Sequence, residues 1–438
     1  MNPQLLEHYF ARLGRGQPWR WRGQVAEAVG QTIESAGPPA SVGECCEIVD
    51  RSGLRHSVEV IGFRGSSILS MPVETTEGVR HGDPVWGLGT RQEIAVGAAL
   101  MGRVLDAHGQ PIDGGRPLAL STSMPLDGKV RSPLDRRPIR ESLGTGIRAI
   151  DALLTVGRGQ RIGIFGGSGV GKSTLIGMMT RNTEAEITIV GLVGERGREV
   201  GEFLEDALGE EGRARSVVVV STSDQSPLKR MRAALAATTI AEFFAAQGKH
   251  VLLVLDSLTR FAMAAREIGL AAGEPPTAKG YTPSVFTRLA RMVERAGNFD
   301  VGSITAFYSV LMEGDDQQDP LVDAARSLLD GHVMLSRALA SEGWYPPIAI
   351  LDSISRLMPA VAGAEHRQQA ALLRRLMATY ARSEDLVRIG AYKPGADPEL
   401  DRALRAREGI RGLLTQESQE HIHFPECLRH LADLAAEV

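Results

Sequence analysis

Residues 166–173 read Gly-Gly-Ser-Gly-Val-Gly-Lys-Ser, and this glycine-rich run constrains the fold of the chain more than any other feature. An apolar stretch typical of a buried strand precedes the run (161–165), and a helix-forming stretch follows it (173–179). In this strand, loop and helix context, glycines let backbone N–H groups surround phosphate oxygens, and the positive end of the helix dipole lies at the same place. The motif therefore predicts a nucleoside triphosphate site in an α/β domain.

The expected nucleotide contacts come from this loop and from the first residues of the helix. Lys172 carries a positive charge for the β- and γ-phosphates, and the Ser173 hydroxyl is a ligand for Mg²⁺ that enters with ATP. The predicted nucleotide-binding residues are Gly166, Gly167, Ser168, Gly169, Val170, Gly171, Lys172, Ser173 and Thr174.

Two further apolar runs predict the acidic part of the site. His250-Val-Leu-Leu-Val-Leu-Asp256 has the pattern of a central parallel strand, whose carboxyl end opens on the ligand, so Asp256 is the expected second ligand of Mg²⁺ through water. Residues 187–193 form another buried-strand pattern, and Gly194-Glu195-Arg196-Gly197-Arg198-Glu199 follows at once. A carboxylate at such a strand end can polarise the attacking water. Taken alone, however, the charged run is more typical of a solvated loop.

Composition limits the class of protein. With 438 residues, of which 43% are hydrophobic, the chain can form two or three domains. No apolar run reaches the roughly 18 residues that a membrane span needs, and the first residues do not have the pattern of a signal peptide, so we expect a cytoplasmic protein. Three cysteines, at 45, 46 and 427, have neither disulfide nor metal-site spacing. The net charge of −4 argues against a dominant nucleic-acid surface.

The patterns along the chain predict a fold of the α/β class with several parts. An apolar stripe at helical spacing in residues 1–20 predicts a partner-binding helix. Short β-like runs with glycine turns in 21–95 predict a small β-barrel. A linker covers 96–140, a parallel-sheet nucleotide-binding domain covers 141–360, and helical patterns cover 361–438.

Five motifs together resemble those of the hexameric rotary ATPases. They are the loop at 166–173, Val-Gly-Glu-Arg-Gly-Arg-Glu at 193–199, Leu-Asp-Ser-Leu-Thr-Arg-Phe-Ala at 255–262, Gly-Tyr-Thr-Pro-Ser-Val-Phe at 280–286 and Leu-Asp-Ser-Ile-Ser-Arg at 351–356. Within that group, the chain is most similar to the export ATPases of the flagellum and of type III secretion. The sequence segments that carry this similarity are 302–311, 313–316, 329–332 and 389–392. The similarity extends from about residue 20 to about residue 410.

The resemblance implies a RecA-like central domain and assigns roles to single residues. Glu195 matches the glutamate that activates water, Arg196 its neighbour on the phosphate side, and Asp256 the second acidic motif. Tyr345 matches an aromatic ring that stacks on adenine, although a Trp-Tyr-Pro-Pro cluster could also be core and turn. Arg356 matches an arginine finger that reaches the next subunit's site, whereas without the resemblance it would be read as a solvated arginine.

The resemblance also implies a function and partners. The expected protein is a homohexameric ring that hydrolyses ATP, with Mg²⁺, to energise protein export. Its implied partners are a stator-like regulatory protein at residues 1–20, a coiled-coil stalk protein in the ring centre, membrane proteins of the export gate, and export substrates with their chaperones. The ring would lie in the cytoplasm, peripherally associated with the inner-membrane export apparatus.

Two other functions remain open from the sequence. One is the catalytic subunit of a rotary ATP synthase, which the export-type phrases disfavour. The other is a hexameric nucleic-acid translocase, which would need stacking aromatics and a basic groove in the barrel; aromatic residues make up 5% of the chain and none cluster there. Between the flagellum and the injectisome, the sequence segments typical of the export ATPases favour the flagellum.

Overall fold

The structure is a computed structural model that describes residues 20–438 except positions 313, 315 and 317. The predicted N-terminal helix, with its apolar stripe, falls outside the described residues. Within the described part, no helix has the length and apolar character needed to cross a membrane.

Six antiparallel strands close into a small barrel in the order β1-β2-β5-β4-β3-β6. Alternate side chains such as Val25, Val58 and Val60 point inward and are buried, because successive residues of a strand face opposite sides. Closure leaves the barrel without an open edge, and the predicted barrel is confirmed. The strands are β1 (Arg22–Val29), β2 (Thr32–Ala36), β3 (Glu44–Val49), β4 (Arg55–Arg64), β5 (Ser67–Pro72) and β6 (Pro84–Arg91).

A connecting region follows the barrel and contains short elements. They are β7 (Glu93–Val96), β8 (Val104–Leu105), β9 (Thr122–Pro125), β10 (Ser142–Leu143), α1 (Arg148–Leu153) and β11 (Val156–Gly157). β7 pairs with β9, and β10 pairs with β11, whereas β8 joins the edge of the large sheet. This region is thus partly built into the domain that follows it.

Strands and helices alternate in the central domain, which is the arrangement that produces a parallel sheet. The elements are β12 (Arg161–Gly166), α2 (Lys172–Asn182), β13 (Ile187–Glu195), α3 (Gly197–Glu202), α4 (Gly209–Ala214), β14 (Ser216–Thr222), α5 (Pro227–Ala246), β15 (His250–Asp256), α6 (Leu258–Ala271), α7 (Pro283–Val293), β16 (Gly297–Asn298), β17 (Ser303–Leu311), α8 (Pro320–Leu328), β18 (Gly331–Met334), α9 (Arg337–Ser341) and β19 (Ile354–Ser355). A π-helical segment, Phe203–Leu208, connects α3 to α4.

The large sheet has the order β19-β18-β12-β17-β15-β13-β14-β8, with β16 paired beside β17. The strands from β18 to β8 run parallel, and β19 and β16 are antiparallel to their neighbours. Both faces are covered, as parallel sheets require. Within β15, Val251, Leu253 and Leu255 pack on the side of α5 to α7, whereas Leu252 and Val254 pack on the side of α2. The predicted parallel-sheet domain is confirmed.

A helical unit ends the chain and packs on the α2 side of the sheet. Its helices are α10 (Met358–Val361), α11 (Ala364–Arg388), α12 (Pro398–Leu414) and α13 (Phe424–Glu437). Leu373, Ile410 and Leu431 belong to the same buried core as Ile164 of β12. The residues after 415 include a packed helix, since buried Cys427 and Leu431 lie on one face of α13.

Candidate active site

The predicted site lies where the carboxyl ends of neighbouring parallel strands meet. In the strand register, Gly166 of β12 is level with Leu311 of β17, and Asp256 of β15 is level with Leu192 of β13. Glu195 ends β13 and Asp256 ends β15. The carboxyl-terminal end of the sheet therefore holds the phosphate loop and both predicted carboxylates, and this is where ligands bind in open α/β sheets.

The phosphate loop has the backbone that its glycines permit. Gly169 and Gly171 have φ angles of 77° and 88°, a region that disfavours residues with a Cβ atom. α2 begins directly afterwards at Lys172, so the first N–H groups of the helix point at the loop. The Lys172 side chain is 10% exposed, and its Nζ lies 3.8 Å from Oδ1 of Asp256. The structure thus brings together the lysine and the carboxylate that the sequence predicted.

The Asp256 carboxylate has a second neighbour that the sequence analysis did not identify. The Ser309 hydroxyl, on β17, donates a hydrogen bond to the same Oδ1 atom. Ser309 is fully buried, and Asp256 is 3% exposed. A serine inside an apolar strand carries no signal of this role, because the contact depends on the pairing of β15 with β17.

Glu195 lies close enough to Asp256 for the two charges to interact. Burial, followed by the negative charge of Asp256, raises the pKa of the Glu195 carboxyl to about 7, and a hydrogen bond with Glu199 adds to the effect. The same hydrogen bond lowers the pKa of Glu199. Lys172 and Arg260 act in the opposite direction on Glu195. A carboxyl group whose pKa is near neutrality is suited to accept and release a proton.

Arg260 is a further residue that the sequence analysis missed, although it lies in the motif at 255–262. It lies on the first turn of α6, and its Cβ is 3.0 Å from the position that a Cβ atom would take at Gly194. Arg196, in contrast, is 78% exposed, and its Nη1 lies 4.0 Å from Oε1 of Glu199. In this structure Arg260, rather than Arg196, is the arginine whose charge acts on Glu195.

Tyr345 lies beside the phosphate loop and is half exposed. Its Cε1 atom is 3.7 Å from the position that a Cβ would take at Gly171. A cavity of about 540 Å³ opens here and is lined by Tyr345, Thr174 and Met178 together with residues of the C-terminal unit, including Arg411 and Gln416. Its place next to the loop and to an available aromatic face fits a purine base.

Gln416 connects the parts of this cavity and was not predicted. Its buried side chain accepts a hydrogen bond from the Arg148 amide (2.9 Å) and donates one to the Gly146 carbonyl (2.9 Å). Its backbone amide donates to the Tyr345 carbonyl at 2.8 Å. The C-terminal helical unit thus forms one wall of the cavity.

Arg356 lies away from the residues just described. It follows β19 on the outer edge of the sheet, its side chain is exposed, and its amide donates to the Asp330 carbonyl. Asp330 lies beside Arg161, the first residue of β12. The phosphate loop begins five residues further along that strand, which corresponds to about 16 Å at the usual rise of a parallel strand. Arg356 therefore does not join the site of its own chain.

The donor atoms at the loop fit Mg²⁺ that is bound together with a nucleotide. The hydroxyl of Ser173 and the carboxylate of Asp256 are oxygen ligands of the kind that this hard cation prefers, and Ser173 is exposed at the start of α2. Among the described residues, no group of three or more His, Cys, Asp or Glu could hold a metal ion by itself. The nucleotide's phosphates and water would supply the remaining ligands.

Two family models match the central and C-terminal parts of the chain. Residues 146–355 match the nucleotide-binding domain of the ATP synthase alpha/beta family, and residues 362–433 match the C-terminal domain of the type III secretion ATPase EscN. The chain is 49% identical to a flagellum-specific ATP synthase of Treponema pallidum, over 99% of this chain and 97% of that protein. It is 47% identical to a type 3 secretion system ATPase of Xanthomonas euvesicatoria, over 95% and 92% of the two chains.

Solved structures show the same relationship. The assembled ATPase EscN of the enteropathogenic E. coli type III secretion system superposes with a TM-score of 0.90 and 42% identity, covering 94% of this chain and all of that chain. The same ATPase in complex with its central stalk EscO gives a TM-score of 0.87 at the same identity and the same coverage. The resemblance inferred from the motifs is therefore confirmed, and the chain belongs to the family of the flagellum-specific and type III secretion ATPases.

Proposed function

We propose that the protein hydrolyses ATP in a homohexameric ring and that this hydrolysis energises protein export through a flagellar-type apparatus. The observation that carries the proposal is the meeting of Lys172, Glu195 and Asp256 at the carboxyl-terminal end of the sheet, next to a cavity that is large enough for a base. The relatives named above are ATPases of the flagellum and of type III secretion. We favour the flagellum because flagellum-specific relatives reach 51% identity, against 47% for a type III secretion relative.

Each residue would have one task in the reaction. The loop amides and Lys172 would bind the phosphates, Ser173 and Asp256 would hold Mg²⁺, and Glu195 would orient the attacking water and accept its proton. The bound Mg²⁺ would neutralise charge that develops on the phosphate oxygens. The positive charge of Arg260 lowers the pKa of Glu195 and would favour its ionised form, while the exposed Arg196 would approach the phosphates on closure of the site.

The position of Arg356 supports a site shared between subunits. Its guanidinium is exposed on the sheet edge, about five strand residues from the chain's own phosphate loop, so it is available to a neighbouring molecule. A guanidinium that enters the neighbour's site would stabilise the charge of the transferring phosphoryl group. An isolated subunit would then be a poor enzyme.

Self-association and a stalk partner follow from the solved relatives, which include an assembled EscN and its complex with the central stalk EscO. We propose the same two associations here. The remaining partners stay proposals: a stator-like regulatory protein bound at residues 1–20, the membrane proteins of the export gate, and export substrates with chaperones, without a nucleic acid. We further propose a cytoplasmic ring that is peripherally associated with the inner-membrane export apparatus.

The test measures Mg²⁺-dependent phosphate release by the purified protein at increasing protein concentration, together with motility of a strain that lacks the gene and carries the variant. Wild type should gain specific activity with concentration and restore motility. Lys172→Ala should do neither. Lys249→Ala is the matched control, because Lys249 lies at the opposite end of the sheet in an exposed ion pair with Glu186 and should behave as wild type.

Two results would contradict the proposal. Stimulation of hydrolysis by RNA or single-stranded DNA would favour the translocase. Full motility of the Lys172→Ala strain would show that hydrolysis at this site does not serve the flagellum. Secretion of an injectisome substrate that wild type restores, and Lys172→Ala does not, would then favour the injectisome.

A further inference from the structure

Ser309 occupies a special place near the carboxyl end of β17, between the phosphate-loop strand β12 and the Asp256 strand β15. Its hydroxyl is completely buried and donates its hydrogen bond to Oδ1 of Asp256. A hydrogen bond to a charged acceptor in a buried place is stronger than one between neutral groups in water. Ser309 therefore restricts the orientation of the Asp256 carboxylate.

The same oxygen atom faces Lys172. The distance from Lys172 Nζ to Asp256 Oδ1 is 3.8 Å, which is longer than the roughly 3.2 Å limit of an ordinary N–H···O hydrogen bond. Lys172 and Ser309 thus approach one oxygen, and Ser309 makes the closer contact. While this arrangement lasts, the lysine does not close a tight ion pair with the carboxylate and stays available for phosphate oxygens.

The strand that carries Ser309 is fixed to both sides of the site. The Leu311 amide donates to the Thr259 hydroxyl at the start of α6 (2.9 Å), and the Met312 amide donates to the Gly166 carbonyl at the start of the phosphate loop (3.2 Å). These bonds join the end of β17 to the phosphate loop and to the helix that follows Asp256. The Ser309 hydroxyl is consequently a donor whose position is fixed by backbone hydrogen bonds on both sides of the site.

We propose that Ser309 is a positioning residue that fixes the Asp256 carboxylate for Mg²⁺ binding and keeps it from pairing tightly with Lys172. The proposal rests on the function proposed above and deepens it. Without the hydroxyl, the carboxylate is free to rotate and pair with Lys172, which removes one ligand from the metal and one charge from the phosphates at the same time. Residues that orient a metal ligand typically change metal affinity or activity by about 10- to 100-fold when they are removed.

The experiment compares Ser309→Ala with a matched control on the same strand, Ser303→Ala. Ser303 is also buried, and its hydroxyl forms a 2.9 Å hydrogen bond with Nδ1 of His250, at the end of β17 that is remote from the site. Steady-state hydrolysis at fixed ATP and, separately, binding of a fluorescent nucleotide without turnover are measured while the Mg²⁺ concentration varies, and the Mg²⁺ dependence of both should shift in the same direction. Thermal unfolding is recorded for each variant. Ser309→Ala should raise the Mg²⁺ concentration for half-maximal activity by about tenfold and lower kcat, whereas Ser303→Ala should leave both unchanged.

Ser309→Cys gives a second measurement if the alanine variant folds poorly, because it keeps a side chain of similar shape with a weak donor. It should also raise the Mg²⁺ requirement. Wild-type Mg²⁺ dependence in a folded Ser309→Ala or Ser309→Cys protein would overturn the positioning role, as would an equal shift in Ser303→Ala. Failure of the proposed function looks different, because the wild-type protein itself would then release no phosphate.

Discussion

The backbone amide of Gln416 donates a hydrogen bond to the carbonyl oxygen of Tyr345, with 2.8 Å between the two atoms. Gln416 belongs to the segment between α12 and α13, whereas Tyr345 lies in the loop after α9, beside the phosphate loop. The Gln416 side chain also bonds the backbone of Gly146 and Arg148 at the start of α1. The C-terminal unit therefore fixes the loop that presents the aromatic ring to the cavity.

We expect Tyr345→Ala to raise KM for ATP by about tenfold with little change in kcat, since the loss of one base–aromatic stack costs about 1–3 kcal/mol. Tyr345→Phe keeps the ring and should resemble wild type. Steady-state kinetics of the two variants checks this expectation. A normal KM in the alanine variant would assign Tyr345 a packing role instead.

Gln416→Ala tests the hydrogen bonds between the C-terminal unit and the rest of the site, rather than the aromatic ring of Tyr345. The part-buried Arg148 amide and the buried Gly146 carbonyl would lose their partners, and an unsatisfied buried polar group costs about 1–3 kcal/mol. The variant should unfold at a lower temperature and bind ATP more weakly, because the Tyr345 loop loses its support. Gln369→Ala is the control, since this exposed side chain bonds Glu365 within α11. Equal melting temperatures for both variants would contradict the expectation.

Replacing Glu195 by Gln should keep nucleotide binding but lower turnover by about 10² or more, because the amide cannot accept the proton of the attacking water. The comparison variant is Glu202→Gln, which changes an exposed carboxylate of α3 that contacts Arg198. Binding of a fluorescent nucleotide and phosphate release are measured on both proteins. Near-normal turnover of Glu195→Gln would exclude Glu195 as the base.

The raised pKa of Glu195 predicts a pH dependence. The carboxyl group has a pKa of about 7 in the nucleotide-free protein, so it is protonated below that pH and cannot act as a base. We expect kcat/KM to fall by about tenfold per pH unit as the pH decreases below about 7, since kcat/KM reports the free enzyme. Rates measured between pH 5.5 and pH 8.5 in a constant ionic strength buffer check this. A rate that stays constant down to pH 5.5 would exclude this protonation as the limiting step.

The parts of the site that local patterns encode could be predicted from the sequence. The phosphate loop between a strand and a helix has its own glycine and lysine signature. Asp256 ends an apolar strand that can be recognised from its own residues alone. Ser309, Arg260 and Gln416 could not be found in this way. Each acts through a partner distant in the chain, so its importance appears once β17 lies beside β15, α6 beside Gly194, and the C-terminal unit beside Tyr345.

Arg356 gives the sharpest test of a site shared between subunits. Because Arg356 lies away from its own phosphate loop, Arg356→Ala should leave nucleotide affinity of a single subunit nearly intact. The same change should lower turnover by about 10³, the loss expected of an arginine finger, and abolish the rise of specific activity with protein concentration.

Mixing inactive subunits then separates a finger from an ordinary surface arginine. Lys172→Ala and Arg356→Ala subunits should regain part of the activity when they are mixed, since an interface between them can pair an intact loop with an intact arginine. Lys172→Ala mixed with Glu195→Gln is the matched control: both changes lie in the phosphate-loop half of the site, so no interface in that mixture has an intact loop half, and no activity should return. If the first mixture forms rings by size and stays as inactive as the second, Arg356 does not act across the interface.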